Sequence, residues 1–256
     1  MKKLLSACIM LSLFACNNSK TESKEKEGTD TVTSDKVTET AGCGKLVLFH
    51  KGAVIEGTSY DAAGKETSKT TTTVTDVTNE GGILTATSSG LMKSPATGEK
   101  TMNLIYKCDG NNLYMDIKSM LQNFEGLNHL KGDIKPLQFP INVSVGQKLP
   151  DASYTIAMDR GAVKMDITTT YKNRIVAAIE KITTTAGSWD CYKVTTDIDS
   201  DVQGLDEATK KIMESVKEKM KMSMAMWYNP EMGIVRMEMF NAGKLNTRTD
   251  ITSVKE

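Results

Sequence analysis

Between residues 216 and 240 the chain alternates with a period of two. Met220, Met222, Met224 and Met226 fall on every second residue, with Lys221, Ser223 and Ala225 between them. An extended strand gathers such a set on one side, because its successive side chains point to opposite faces. Asn229-Pro230-Glu231-Met232-Gly233 follows as a turn, since Pro presets φ and Gly tolerates positive φ. Residues 234–240 then return as the partner strand. A long β-hairpin with one apolar, methionine-lined face and one solvated face is expected here, and the chain around it has to be largely β.

The preceding sequence repeats this grammar. Strand patterns over residues 53–60, 66–77, 83–89, 101–108 and 113–115 are separated by Asp61-Ala62-Ala63-Gly64, Asn79-Glu80-Gly81-Gly82, Gly98 and Asp109-Gly110-Asn111. A second meander starts near Ser153. It runs through 154–158, the alternating Val163, Met165 and Ile167, then 174–184 and 189–198, and it ends in 245–254 after Asn241-Ala242-Gly243-Lys244. Two stretches have helical spacing instead. Ile117, Met120, Leu121 and Phe124 follow the N-cap candidate Asp116 and stop at Gly126; Leu205, Ala208, Ile212 and Val216 precede the methionine hairpin. About eleven strands without βαβ alternation predict a mainly β fold. The expectation is a strongly curved antiparallel sheet or open half-barrel of two meanders, with one or two short helices packed on it. The β-rich domain is placed at 43–256, in two similar halves at about 43–131 and 152–256.

The N-terminus belongs to targeting rather than to the fold. Met1-Lys2-Lys3 is a basic n-region, residues 4–14 are apolar, and Leu13-Phe14-Ala15 leads into Cys16. The combination resembles a bacterial lipobox, which implies that residues 1–15 are removed and Cys16 is acylated. Several acyl chains on one residue exceed the two-signal requirement for stable anchoring. Residues 16–42 are then a lipidated Cys followed by a polar tether too poor in apolar groups to order itself. Such a tether averages about 28 Å end to end. Asn17, rather than Asp, follows Cys16, which favours the outer membrane over the inner. The expected location is the bacterial cell envelope.

Composition narrows the chemistry. Lys plus Arg and Asp plus Glu each number 32, and aromatic residues make up 5%. There is neither a basic field nor a set of stacking platforms for nucleic acid, so no nucleic-acid partner is expected. The two histidines, His50 and His129, lie far apart with no Cys, Asp or Glu at ligand spacing. No Walker loop, dinucleotide fingerprint, HExxH or EF-hand loop occurs. Neither an enzyme nor a cofactor is expected. With Cys16 acylated and Cys8 lost, Cys43, Cys108 and Cys191 remain, and three pairings are open. Cys43 with Cys108 is favoured, because each bounds the first meander. The Met220, Met222, Met224 and Met226 ladder admits two further uses. It can present an adaptable apolar face to a lipid-like ligand, or offer soft thioethers to Cu(I).

One resemblance adds to this. Trp227-Tyr228-Asn229-Pro230-Glu231-Met232-Gly233-Ile234-Val235-Arg236-Met237-Glu238 resembles the C-terminal signature of TapB-like lipoproteins of Bacteroidetes-type bacteria. Residues 184–193, with Ala186-Gly187 and Cys191-Tyr192-Lys193, are similar to that family's hairpin, and Lys107-Cys108-Asp109-Gly110 and Leu149-Pro150-Asp151 to its other motifs. The resemblance implies an exported, membrane-anchored β protein without known catalytic residues. The function expected is a non-enzymatic envelope lipoprotein whose curved sheet binds an apolar or lipid-like ligand or a partner protein. A structural or adhesion role is the alternative, with Cu(I) handling behind it.

Overall fold

The computed structural model describes residues 42–121, 130–160, 163–216 and 221–256. Cys16, Phe124, Gly126, His129 and Met220, all part of the expectations above, lie outside the described residues. After two 3-10 turns, Cys43–Lys45 and Val47–Phe49, comes the first meander: β1 (Val54–Asp61), β2 (Glu66–Glu80), β3 (Ile83–Ser94), β4 (Gly98–Cys108) and β5 (Asn112–Met115). Helix α1 (Ile117–Leu121) and the short strands β6 (Leu130–Lys135) and β7 (Leu137–Pro140) connect it to the second. That meander comprises β8 (Ala152–Arg160), β9 (Val163–Thr184), β10 (Gly187–Gln203), β11 (Met222–Asn229), β12 (Gly233–Asn241) and β13 (Lys244–Lys255), with α2 (Glu207–Val216) before β11.

All thirteen strands form one antiparallel sheet in the order β6-β8-β9-β10-β11-β12-β13-β1-β2-β3-β4-β5-β7. The expected two meanders meet where the last strand, β13, pairs with the first, β1. The outermost strands of the sheet, β6 and β7, are neighbours in sequence, separated by Pro136 alone. The sheet therefore curls until its two edges reach one bend of the chain. It is not closed, because no ladder joins β6 to β7.

The turns are made by the residues that the sequence offers. Asp61 Oδ1 accepts from the backbone N–H groups of Ala63 and Lys65, both at 2.9 Å. In the β11–β12 turn Asn229 Oδ1 accepts from Glu231 and Met232. Gly187, at φ 156°, turns β9 into β10, and a Cβ there would lie 2.6 Å from the Trp189 ring. Close approach of the indole requires glycine at this position. The disulfide joins Cys43 to Cys108, with Cα atoms 6.0 Å apart, so the segment before β1 is tied to the end of β4.

In three places the structure differs from the sequence reading. The stretches around 163–167 and 174–184 are one strand, β9, of 22 residues. A bulge opposite Thr195–Asp197, with Asn173 at φ 52°, carries it past the polar run that looked like a break; Asn tolerates that left-handed conformation better than most residues. Helix α1 packs on β4 with Ile117 and Met120 buried, whereas α2 leaves Ile212 largely exposed. Finally, the second face of β11 is not solvated at Ala225 and Trp227: both are buried. Residues of β9 and β10 cover it, as described next.

Candidate functional site

Ladder register carries the face assignments from strand to strand, since directly paired residues share a face. One core-facing row runs Val194, Met226, Met237, Thr249, Ser59 and Ser68 across β10, β11, β12, β13, β1 and β2. A neighbouring row pairs Thr196 with Met224 and Met224 with Met239. The core face thus changes character along the sheet, from thioethers on β11 and β12 to hydroxyls on β13, β1, β2 and β3.

The thioether wall is buried. Met224, Met226, Met237 and Met239 are 5%, 1%, 5% and 3% exposed, and Met222 is half-buried. Of the four ladder methionines read from sequence, the structure therefore sets Met224 and Met226 in the core, each opposite another methionine. Unbranched thioethers fill the irregular space that a curled sheet leaves between its strands.

On the hydroxyl wall Ser59, Ser68, Thr72, Ser88 and Thr249 are all buried. Ser59 and Thr249 satisfy each other at 2.9 Å. Thr72 Oγ1 and Ser88 Oγ are buried without a hydrogen-bond partner. Thr72 is paired with Gly90, where a Cβ would meet Met102 Cγ at 2.6 Å. Ile55, Val74 and Leu104 share this face with the hydroxyls, and among the described residues Thr72 and Ser88 leave unmade the bonds that buried hydroxyls normally make.

A buried arginine stands where the sheet edges meet. Arg174, on β9, is 1% exposed. Its Nη1 donates to Pro150 O at 2.6 Å and its Nη2 to Gln138 O at 2.9 Å, and its Cζ lies 5.2 Å from the centroid of the Phe139 ring. Gln138 and Phe139 belong to the edge strand β7, and Pro150 precedes β8 beside the other edge, so one guanidinium clasps the two sides of the curl. Phe139 stacks in turn on Tyr228 at 5.5 Å. Burial lowers the Arg174 pKa to about 10, partly opposed by the charge of Asp151; the group is still a cation at neutral pH. Its Nε, Thr196 Oγ1 and Tyr228 Oη are buried with no partner, and burial raises the Tyr228 hydroxyl, which stays protonated. Sequence reasoning missed Arg174. Its acceptors lie 24 and 36 residues away, and no local pattern marks an arginine as buried.

The opposite face of the same strands carries a satisfied polar network. Trp227 Nε1 donates to Glu180 Oε2 at 2.7 Å, Lys193 Nζ donates to Glu180 Oε1 at 3.0 Å, and the ammonium lies 5.0 Å from the Trp227 ring centroid. These two donors hold the Glu180 carboxyl below the usual carboxylate range. Arg236 binds Asp250 through both Nε and Nη2. Arg248 Nε, 3.1 Å from Asp250 Oδ2, is a charge contact without hydrogen-bond geometry. Cys191 is buried and unpaired, and burial, helped by Asp190, pushes its thiol up to about 12. It is a thiol, not a thiolate, at neutral pH. His50 is engaged by Gly44 O and Glu256. Among the described residues no three His, Cys, Asp or Glu side chains gather as a metal-ligand set.

No curated protein matches the chain. Two solved structures share its fold. One is a Bacteroides fragilis protein designated as exported, with a YmcC-like fold: 20% identical, TM-score 0.59, covering 80% of this chain and 96% of its own. The other is a Parabacteroides distasonis protein designated a lipoprotein: also 20% identical with TM-score 0.59, covering 80% of this chain and 95% of its own. At this identity the likeness is one of fold. The family model described as DUF3108-like matches residues 50–251, and the chain belongs to that family.

Proposed function

We propose that this is a non-catalytic lipoprotein of the cell envelope whose curled sheet holds an amphiphilic, lipid-like ligand between its two walls. The apolar body of the ligand lies along the thioethers of Met224, Met226, Met237 and Met239, and its polar groups meet the buried polar atoms that the fold leaves without partners. The observation that carries this reading is the pair of partnerless buried hydroxyls, Thr72 Oγ1 and Ser88 Oγ. A core selected for stability alone would fill these positions with Val and Ala, since an unmade buried bond costs about 1–3 kcal/mol. Acylation at Cys16 and the polar tether of 16–42 would fasten the domain to the membrane, with the outer membrane favoured by Asn17. Within the DUF3108-like family we read the chain as TapB-like, on the strength of the signature from Trp227 to Glu238.

The test uses the full chain with Cys16→Ala, so that its own acyl groups do not confuse the result. Denaturing extraction followed by mass spectrometry should release a stoichiometric lipid-like molecule. An environment-sensitive fatty-acid probe should saturate at one equivalent. A preparation that carries no lipid and leaves the probe dark would sink the ligand reading.

A further inference from the structure

The interior carries a cation that the fold answers only in part, through the unpaired but nearby charge of Asp151. Arg174 is buried, and among the described residues no carboxylate forms an ion pair with it. Two of its N–H groups are used on the backbone carbonyls of Pro150 and Gln138. Backbone dipoles, the Phe139 ring and the charge of Asp151 ease the burial of the cation, but none of them pairs with it directly, and an ion taken out of water without a paired counter-charge is strongly penalised. Asp250, the other buried charged side chain, already serves Arg236 and Arg248 on the opposite face.

Three donors on the neighbouring strands β9, β10 and β11 are left without partners among the described residues. Arg174 Nε is buried without a partner. Thr196, across the β9–β10 bulge from Arg174, has a partnerless Oγ1. Tyr228, linked to Arg174 through the Phe139 stack, has a partnerless Oη. An N–H and a hydroxyl are each able to donate to an oxyanion, and charge-assisted bonds of this kind are the strong ones. Beside them, Thr196 pairs with Met224, so the donor set borders the thioether wall.

We propose that Arg174, with Thr196 and Tyr228, is the site for the anionic head of a single-chain amphiphile, a carboxylate or a phosphate whose acyl chain runs along Met224 and Met226. The inference rests on the amphiphile reading above and names the ligand class for it. The arrangement also explains why an arginine, rather than an apolar side chain, fastens the two edges of the curl. Its carbonyl contacts fix the guanidinium, and Nε remains for the ligand.

The experiment compares three probes of equal chain length on the full chain with Cys16→Ala: palmitate, lysophosphatidic acid with a palmitoyl chain, and palmityl alcohol. Displacement of a bound fluorescent fatty acid reads affinity. At least one of the two anions should bind about tenfold or more tightly than the alcohol, the scale of one charge-assisted bond. Arg174→Met, which keeps the side chain long and removes the charge, should lower anion affinity to the level of the alcohol and leave alcohol affinity within about twofold. If this variant fails to fold, the wild-type ratio decides alone, and Thr196→Val serves as the second variant. Binding of the alcohol as tightly as both anions overturns the anionic-head site and leaves the amphiphile reading standing. Failure of all three probes overturns both. A preference for palmitate over the lysophospholipid identifies a free acid as the source of the anion, and the reverse a phospholipid.

Discussion

The two walls of the core are made by the same ladders and buried to the same degree, yet they are finished differently. On β11 and β12 the methionines meet one another across the strands, each thioether opposite another. On β13, β1 and β2 the positions in register with them are Thr249, Ser59 and Ser68, and Thr72 on β2 and Ser88 on β3 lie two and three rows further along the same face. The first wall is what packing alone would select. The second keeps polar groups where packing gains nothing from them, and proteins that give up stability in this way do so at functional sites. Burial, then, does not separate core from site here; satisfaction of the buried atoms does.

The largest expected effect probes the hydroxyl side, which the disulfide fastens. The Cys43–Cys108 bridge closes a loop with a sequence separation of 65. Replacing both cysteines by serine should cost about 4 kcal/mol on loop entropy, read as a fall in the urea midpoint. Hydrogen exchange should rise first at the amides of β1 to β4 and later at β11 and β12. Uniform exchange across both walls would show that they do not differ in local stability.

On the thioether side, Met226→Ala should cost about 3 kcal/mol through the cavity it leaves, and Met226→Leu less than about 1.5 kcal/mol. Both are measured by denaturant unfolding. A wild-type-like Met226→Ala would mean that this wall is loosely packed. Thr72→Val is the counterpart. Removing a partnerless buried hydroxyl should leave stability unchanged or raise it by about 1 kcal/mol, while affinity for the fatty-acid probe falls about fivefold. The two substitutions thus separate stability from binding. A Thr72→Val protein that is destabilised and binds the probe normally would reduce the hydroxyl wall to an ordinary part of the core.

The contrast between the walls was only half legible in the sequence. The methionine face announces itself, because period two with one residue type admits few structures, and the turns at Asp61–Gly64 and Asn241–Lys244 follow from residues that make them wherever they occur. Residues 70–73, four threonines in a row, mark a strand, but nothing local tells which of their hydroxyls face inward. Burial of Thr72 depends on its pairing with Ile55 and Gly90, fixed only by the whole sheet. Arg174 is hidden for the same reason. The burial of Trp227 on the other face was also illegible, since Glu180 reaches it from a strand 47 residues earlier.

That outer cover gives the smallest effect and the finest test of the thioether wall, for it decides whether β11 is held from both sides. Glu180 accepts from Trp227 and Lys193, and its pKa lies below the ordinary value because of them, the indole bond first. A carboxyl with a lower pKa folded than unfolded binds fewer protons in the folded state. Its contribution is complete above the unfolded value, about 4.3, and is lost as pH falls through the folded one. The urea midpoint should therefore drop between neutral pH and pH 3, and Glu180→Gln should show a shallower drop over the same window. Because Glu180 is only half-buried, the difference should be modest and should shrink in high salt. The fluorescence of the Trp227 indole should report the same titration. If wild type and Glu180→Gln lose stability in parallel on acidification, Glu180 does not hold the cover down, and the burial of Trp227 owes its stability to packing against β9 and β10 alone.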